Sequence, residues 1–203
     1  MGEALLKARG YSLEEWIDLE NNPTLNPEGI RYEYHYGEVY AMAGGTLNHS
    51  RLSKNATVAL ENSFAANGQN CEAFQSEVKI EVDPRGKYVY PDTLVVCGEI
   101  DESEHVKGSI RNPIVVVEVL SPSSEAYDLY KKFKYYFNLP SVREYLVISQ
   151  EAPDVILYRR QKDSHLYLTI PYDGLEAEIH FKSINVKLKL ADLYRKVVFD
   201  TNK

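Results

Sequence analysis

Hydrophobic and polar residues change period several times along the chain, and each change marks a predicted element. Residues 12–20 place Leu13, Trp16, Ile17 and Leu19 on an apolar side. Ser12 stands where an N-cap belongs and Glu15 follows at capping-box spacing, so a short amphipathic helix is expected. Two prolines and a glycine make 21–29 a loop. From 31 to 42 the chain alternates and is rich in tyrosine, which predicts two strands joined at or near Gly37. Ala43-Gly44-Gly45 stops them. Thr46 or Asn48 then caps a helix expected to run to Ala66, with Leu52, Val58, Ala59 and Phe64 inward. Asn67-Gly68 ends it.

Residues 74–82 alternate again, with Phe74, Ser76, Val78 and Ile80 on one side and Gln75, Glu77, Lys79 and Glu81 on the other. They predict one strand, with Asp83-Pro84-Arg85-Gly86 as a turn and 88–96 as its hairpin partner. A loop of mixed charge, 98–112, leads to a β-branched run at 114–120. Ser121-Pro122-Ser123-Ser124 ends that strand and opens a helix, with Ser123 or Ser124 capping and Glu125 near the N-terminus. Leu139-Pro140 breaks the helix, and 144–149 is a strand. Strand, helix, strand at this spacing is a right-handed crossover between parallel strands. Hairpin material follows at 155–160 and 165–170 around Asp163-Ser164, then a helical turn in 191–196. The expectation is one α/β domain over 1–203: an N-terminal helical arm (1–30), a core (31–151) and a C-terminal β-hairpin extension (152–203).

Bulk properties narrow the class. The chain has 203 residues, 44% of them apolar and 26% charged, enough for one good core. It has no run of eighteen apolar residues and no basic-then-apolar leader, which points to a cytoplasmic protein without a membrane span. Cys71 and Cys97 lie far apart without Cys-x-x-Cys spacing, so neither zinc nor a disulfide framework is suggested. The net charge of −7 argues against a protein that coats nucleic acid passively, but not against an enzyme with a local basic patch and a metal.

The chemistry concentrates between Tyr88 and Tyr136. Asp92 and Glu118 each sit in a run that otherwise reads as buried strand, Glu118 within Val-Val-Val-Glu-Val-Leu. A buried carboxylate is costly unless it is paired or binds a metal. A shared metal ion accounts for both; strand-end carboxylates facing solvent or salt-bridged are the alternative.

These residues carry a family resemblance. Tyr90-Pro91-Asp92, Val117-Glu118-Val119-Leu120-Ser121-Pro122-Ser123, Asp128 with Lys132, Arg143-Glu144-Tyr145 and Tyr36-Gly37-Glu38, in this order, resemble the Uma-type restriction-endonuclease-like family of the PD-(D/E)XK nuclease superfamily. The resemblance covers roughly residues 30 to 160. It implies a restriction-endonuclease-like core, with a mixed sheet flanked by helices, that cuts DNA with Mg²⁺, for which Mn²⁺ can substitute. Asp92, Glu118 and the Val119 carbonyl would hold the metal. Two cuts on opposite strands would suit a homodimer.

One position departs from the pattern. The usual lysine lies two residues after the glutamate, where this chain has Leu120. The resemblance points instead to Lys132, one helical turn from Asp128; the alternative is an i, i+4 surface pair. Glu38 is either a further carboxylate of the site or a residue of the hairpin surface, and the same holds for Glu33. Lys131 and Lys134 are expected in solvent or against phosphate. His49 follows a Gly-Gly turn near a helix start, where a structural hydrogen bond is expected, and none of the five histidines has zinc-ligand spacing. Two rival functions stand beside the nuclease. One is a catalytically inactive nuclease-fold module that binds nucleic acid or protein. The other is a glycosidase, which needs an aromatic sugar platform that Trp16, distant in sequence, does not obviously supply.

Overall fold

The computed structural model describes residues 4–5, 10–42, 44–121, 127–162 and 166–199. Strand β1 (Ala4–Leu5) precedes helix α1 (Leu13–Asn21), which Ser12 and Glu15 cap reciprocally as the expected box. Trp16 is buried from α1 between the rings of Tyr34 and Tyr88, and its Nε1–H donates to the Tyr32 carbonyl at 2.9 Å. It is core, not a sugar platform. Strands β2 (Tyr32–His35) and β3 (Glu38–Ala41) form the expected hairpin. Its two turn residues, Tyr36 and Gly37, have φ of 52° and 99°, the left-handed pair that a tight hairpin needs.

Helix α2 (Leu47–Asn67) starts at Thr46, whose hydroxyl accepts the His49 N–H, and stops at Gly68 in the left-handed conformation. Its inward seam is Leu52, Ala56, Leu60 and Phe64, an i, i+4 series. Val58 falls off that seam and is 43% exposed, contrary to expectation.

The next expectation also needs correcting. The predicted hairpin of two long strands is four short ones: β4 (Cys71–Gln75), β5 (Lys79–Asp83), β6 (Lys87–Val89) and β7 (Thr93–Cys97). A turn closed by Val78 N–H on the Gln75 carbonyl separates β4 from β5. Tyr90-Pro91-Asp92 separates β6 from β7, where Pro91 has no N–H to continue a ladder. β5 pairs with β6 and β4 with β7, but in different sheets. Both strands thus turn a corner from one sheet to the other, and Asp92 sits at that corner.

Strands β8 (Ser109–Ile110) and β9 (Val115–Val119) follow. A π-helical stretch (Tyr127–Lys132) runs into α3 (Phe133–Asn138), and then comes β10 (Glu144–Ile148). β10 is parallel to β9, as the crossover requires. β11 (Asp154–Arg160) and β12 (Tyr167–Asp173) make the expected C-terminal hairpin. A second hairpin, β13 (Glu178–Phe181) with β14 (Val186–Lys189), and the short α4 (Leu190–Leu193) complete the chain. The expected caps Ser123 and Ser124, the residue Glu125 and the turn at Asp163-Ser164 lie outside the described residues.

One mixed sheet has the order β12-β11-β10-β9-β7-β4, the other β1-β3-β2-β6-β5-β8. In the first, Val115, Val117 and Val119 pack towards α2, while Val116 and Val147 pack with Tyr136 of α3 on the opposite face. The fold is therefore mixed sheet flanked by helices. Cys71 and Cys97 face each other across β4 and β7 with Cα atoms 4.0 Å apart and are joined as a disulfide. The spacing of the two cysteines does not suggest this bond: sequence distance hides partners that antiparallel register places opposite. Among the described residues no helix is long and apolar enough to cross a membrane.

Candidate active site

Asp92 and Glu118 come together because their strands are neighbours. Thr93 faces Val117 across β7 and β9, so Asp92, one residue earlier, lies level with Glu118. The strand period of two turns Glu118 away from the α2 side that Val117 and Val119 occupy. Both carboxylates line a cleft of about 630 Å³ with Glu33, Asp128, Lys132, His49, Tyr127 and Val119. The cleft floor is closed: Asp92, Glu118 and Lys132 are 7%, 3% and 5% exposed.

Each carboxylate is held by one oxygen. Asp92 Oδ2 accepts the Val119 N–H at 2.7 Å and lies 3.2 Å from His49 Nε2. Glu118 Oε1 accepts from Lys132 Nζ at 2.9 Å and from the Tyr136 hydroxyl at 2.6 Å. Asp92 Oδ1 and Glu118 Oε2 accept no hydrogen bond among the described residues. Glu144, also buried, shows the contrast. Arg159, Ser183 and the N–H groups of Lys182 and Ser183 occupy both its oxygens, so it is a structural anchor that ties β11 and the β13–β14 turn to β10.

Lys132 reaches this site from the helix that follows β9. A π turn widens the repeat, and Tyr127, Asp128 and Lys132 all line the cleft. Lys132 Nζ donates to the Tyr90 carbonyl at 3.0 Å, and lies 3.4 Å from Glu33 Oε1 and 3.7 Å from Asp128 Oδ1. Glu33 is itself fixed by the Tyr90 N–H at 3.2 Å, the Tyr127 hydroxyl at 2.8 Å and His35 at 3.3 Å.

The electrostatics follow from this crowding. Burial pushes Glu118 well above the carboxylate range; Lys132 pulls it down, and Asp128 and Asp92 push it up again. Burial disfavours charge on Lys132, yet Glu118, Glu33 and Asp128 hold it well above the usual lysine value. Three carboxylates, Glu118, Glu33 and Asp128, lie within 4 Å of the Lys132 ammonium. For Glu33, burial is outweighed by Lys132 and His35, which hold it at about 2. His49 is raised, the Asp92 hydrogen bond and charge together overcoming burial. Burial beside Glu118 raises Tyr136 well above the usual phenol value, so its hydroxyl remains a donor.

Among the described residues no three His, Cys, Asp or Glu side chains are arranged to hold a metal ion. Lys132 stands among the carboxylates instead. Two carboxylates, each with an oxygen that accepts no hydrogen bond among the described residues, nonetheless suit Mg²⁺, which binds through one or two carboxylates and takes its other ligands from water and phosphate.

Of the sequence candidates, Asp92, Glu118, Val119, Asp128 and Lys132 converge on the cleft. Glu38 does not: it is exposed on the hairpin and accepts from the Tyr40 hydroxyl at 2.7 Å. Lys131 and Lys134 are exposed. Glu33 takes the inward place on β2 that strand alternation leaves ambiguous. Tyr127, Tyr136 and His35 carried no sequence signal as site residues: Tyr127 and Tyr136 act through contacts distant in the chain, and His35 through the inward turn of Glu33.

A family model described as "Uma2: Putative restriction endonuclease" matches residues 13–191. Two Synechocystis proteins, both described as uncharacterized, are similar over nearly their full length. One, slr1290, is 34% identical over 186 residues, covering 87% of this chain and 95% of its own. The other, sll1609, is 30% identical over 172 residues, covering 85% and 93%. Among solved structures, a protein from Anabaena variabilis described as a "putative nuclease belonging to DUF820" superposes with a TM-score of 0.67. That match covers 93% of this chain and 99% of the other at 19% identity, a likeness of fold.

Proposed function

Because this chain belongs to the Uma2 restriction-endonuclease family, we propose that it is a Mg²⁺-dependent endonuclease that hydrolyses phosphodiester bonds in DNA. The observation that carries this reading is Lys132 Nζ on Glu118 Oε1, beside an Asp92 whose Oδ1 accepts no hydrogen bond among the described residues. This contact supports a role for a lysine from the helix, since the usual position, two residues after the glutamate, holds Leu120.

Asp92, Glu118 and the Val119 carbonyl would hold the metal. A Mg²⁺ ion held by them would supply an acidified water and positive charge to offset that on the phosphate. Lys132, kept as an ammonium by its three carboxylate neighbours, orients the attacking water and supplies positive charge rather than acting as a base. Tyr136 and Lys132 fix Glu118, and the Val119 N–H fixes Asp92, so the ligand oxygens need little reorganisation. Arg31 and Lys54 on the cleft wall offer positive charge to the phosphates of the strand.

The test is cleavage of plasmid and single-stranded DNA with Mg²⁺ or Mn²⁺, running the wild type beside Asp92→Ala, Glu118→Ala and Lys132→Ala. Metal-dependent cutting lost in the first two variants supports the reading. A wild type that binds DNA without metal and cuts none of these substrates favours the inactive binding module.

A further inference from the structure

Resting on the metal-site reading above, we infer that His49 is a positioning residue for Asp92, and that Gly45 keeps open the space its ring needs. Thr46 caps α2, which places His49 in the first helical turn with its side chain on the cleft. His49 Nε2 lies 3.2 Å from Asp92 Oδ2, the same oxygen that accepts the Val119 N–H at 2.7 Å. An imidazole from a helix and an N–H from the neighbouring strand converge on one oxygen and fix the plane of the carboxylate. Oδ1 is then the atom left to a cation. Partners that orient a ligand in this way are typically worth about 10- to 100-fold in metal affinity.

Gly45 provides an independent observation. A Cβ built on it would meet His49 Nδ1 at 3.0 Å, Cγ at 3.2 Å and Cβ at 3.4 Å. Its neighbour Gly44 would meet nothing within 4 Å. Gly45 is not among the residues with positive φ, so its backbone does not demand glycine. The nearby ring does: any side chain there pushes the imidazole by a few tenths of an ångström, enough to loosen its bond to Asp92.

The experiment is calorimetric titration of the full-length protein with Mn²⁺, with thermal melts to confirm folding. His49→Ala should weaken Mn²⁺ binding about 10- to 100-fold. His49→Gln, whose amide N–H can still reach Asp92, should recover most of it. Gly45→Ala should weaken binding on its own and add nothing in the His49→Ala background, while Gly44→Ala should bind as the wild type does. Because Gly45→Ala retains the imidazole, it carries the test even if His49→Ala folds poorly. Asp92→Ala separates the two levels. Normal Mn²⁺ binding by His49→Ala and Gly45→Ala beside a defective Asp92→Ala overturns the role of His49 alone. Normal binding by Asp92→Ala, or none by the wild type, overturns the metal site and the role of His49 with it.

Discussion

Lys132 Nζ lies 2.9 Å from Glu118 Oε1, joining a helix residue to a strand residue fourteen positions earlier. The contact is fully buried and adds one ammonium to a cluster of four carboxylates. It ties the cleft's charge balance to the stability of the fold, because neither partner can lose the other without a desolvation penalty.

Removing a metal-ligand candidate should separate chemistry from folding. Asp92→Ala and Glu118→Gln are expected to lower Mg²⁺-dependent DNA cleavage by at least about 100-fold, since even groups behind the ligands are worth 10- to 100-fold. Thermal melts should show both variants folded. Wild-type cleavage rates in either variant would remove that residue from the site.

Lys132→Ala should cost both activity and stability. It leaves Glu118 and Glu33 buried without their cation, a loss of about 3–5 kcal/mol for a broken buried pair. Urea unfolding measures this directly. Wild-type stability in this variant would mean that the carboxylates protonate or relax at no cost.

Stability should fall in acid through Glu33. Its folded pKa, about 2, lies below the ordinary glutamate value of 4.5. Its contribution is therefore complete above pH 4.5 and is lost as pH falls towards 2. The shift corresponds to about 3 kcal/mol. Urea unfolding from pH 7 to pH 2 should show the wild type losing more stability than Glu33→Gln over that window; parallel profiles would count against the Lys132 and His35 contacts as its cause.

The Cys71–Cys97 disulfide should stabilise the fold. Its sequence separation is 26 residues, for which loop entropy predicts about 3 to 4 kcal/mol. Reductant, or paired Cys71→Ala and Cys97→Ala substitutions, should lower the unfolding midpoint accordingly. Thiol alkylation before and after reduction reports the bond itself, and two alkylated thiols without reductant would show that it is absent.

The sequence by itself determined α1 with its capping box, α2 from a cap at Thr46 or Asn48 to its stop at Asn67-Gly68, the β2–β3 turn at or near Gly37, and the parallel β9–β10 crossover. Caps, left-handed turn residues and hydrophobic period are local signals, and they need no knowledge of the rest of the chain. Asp92 and Glu118 were legible as candidates because a carboxylate inside an apolar strand stands out wherever that strand packs. Only the tertiary structure decided which sheet each half of 74–82 and 88–96 joins, since alternation looks the same on either side of a corner. It also decided that Glu33 and not Glu38 enters the cleft, that Lys132 reaches Glu118, that His49 and Tyr136 hold the carboxylates, and that Cys71 meets Cys97. Each of these depends on register and on which elements become neighbours, which the period of a single segment does not encode.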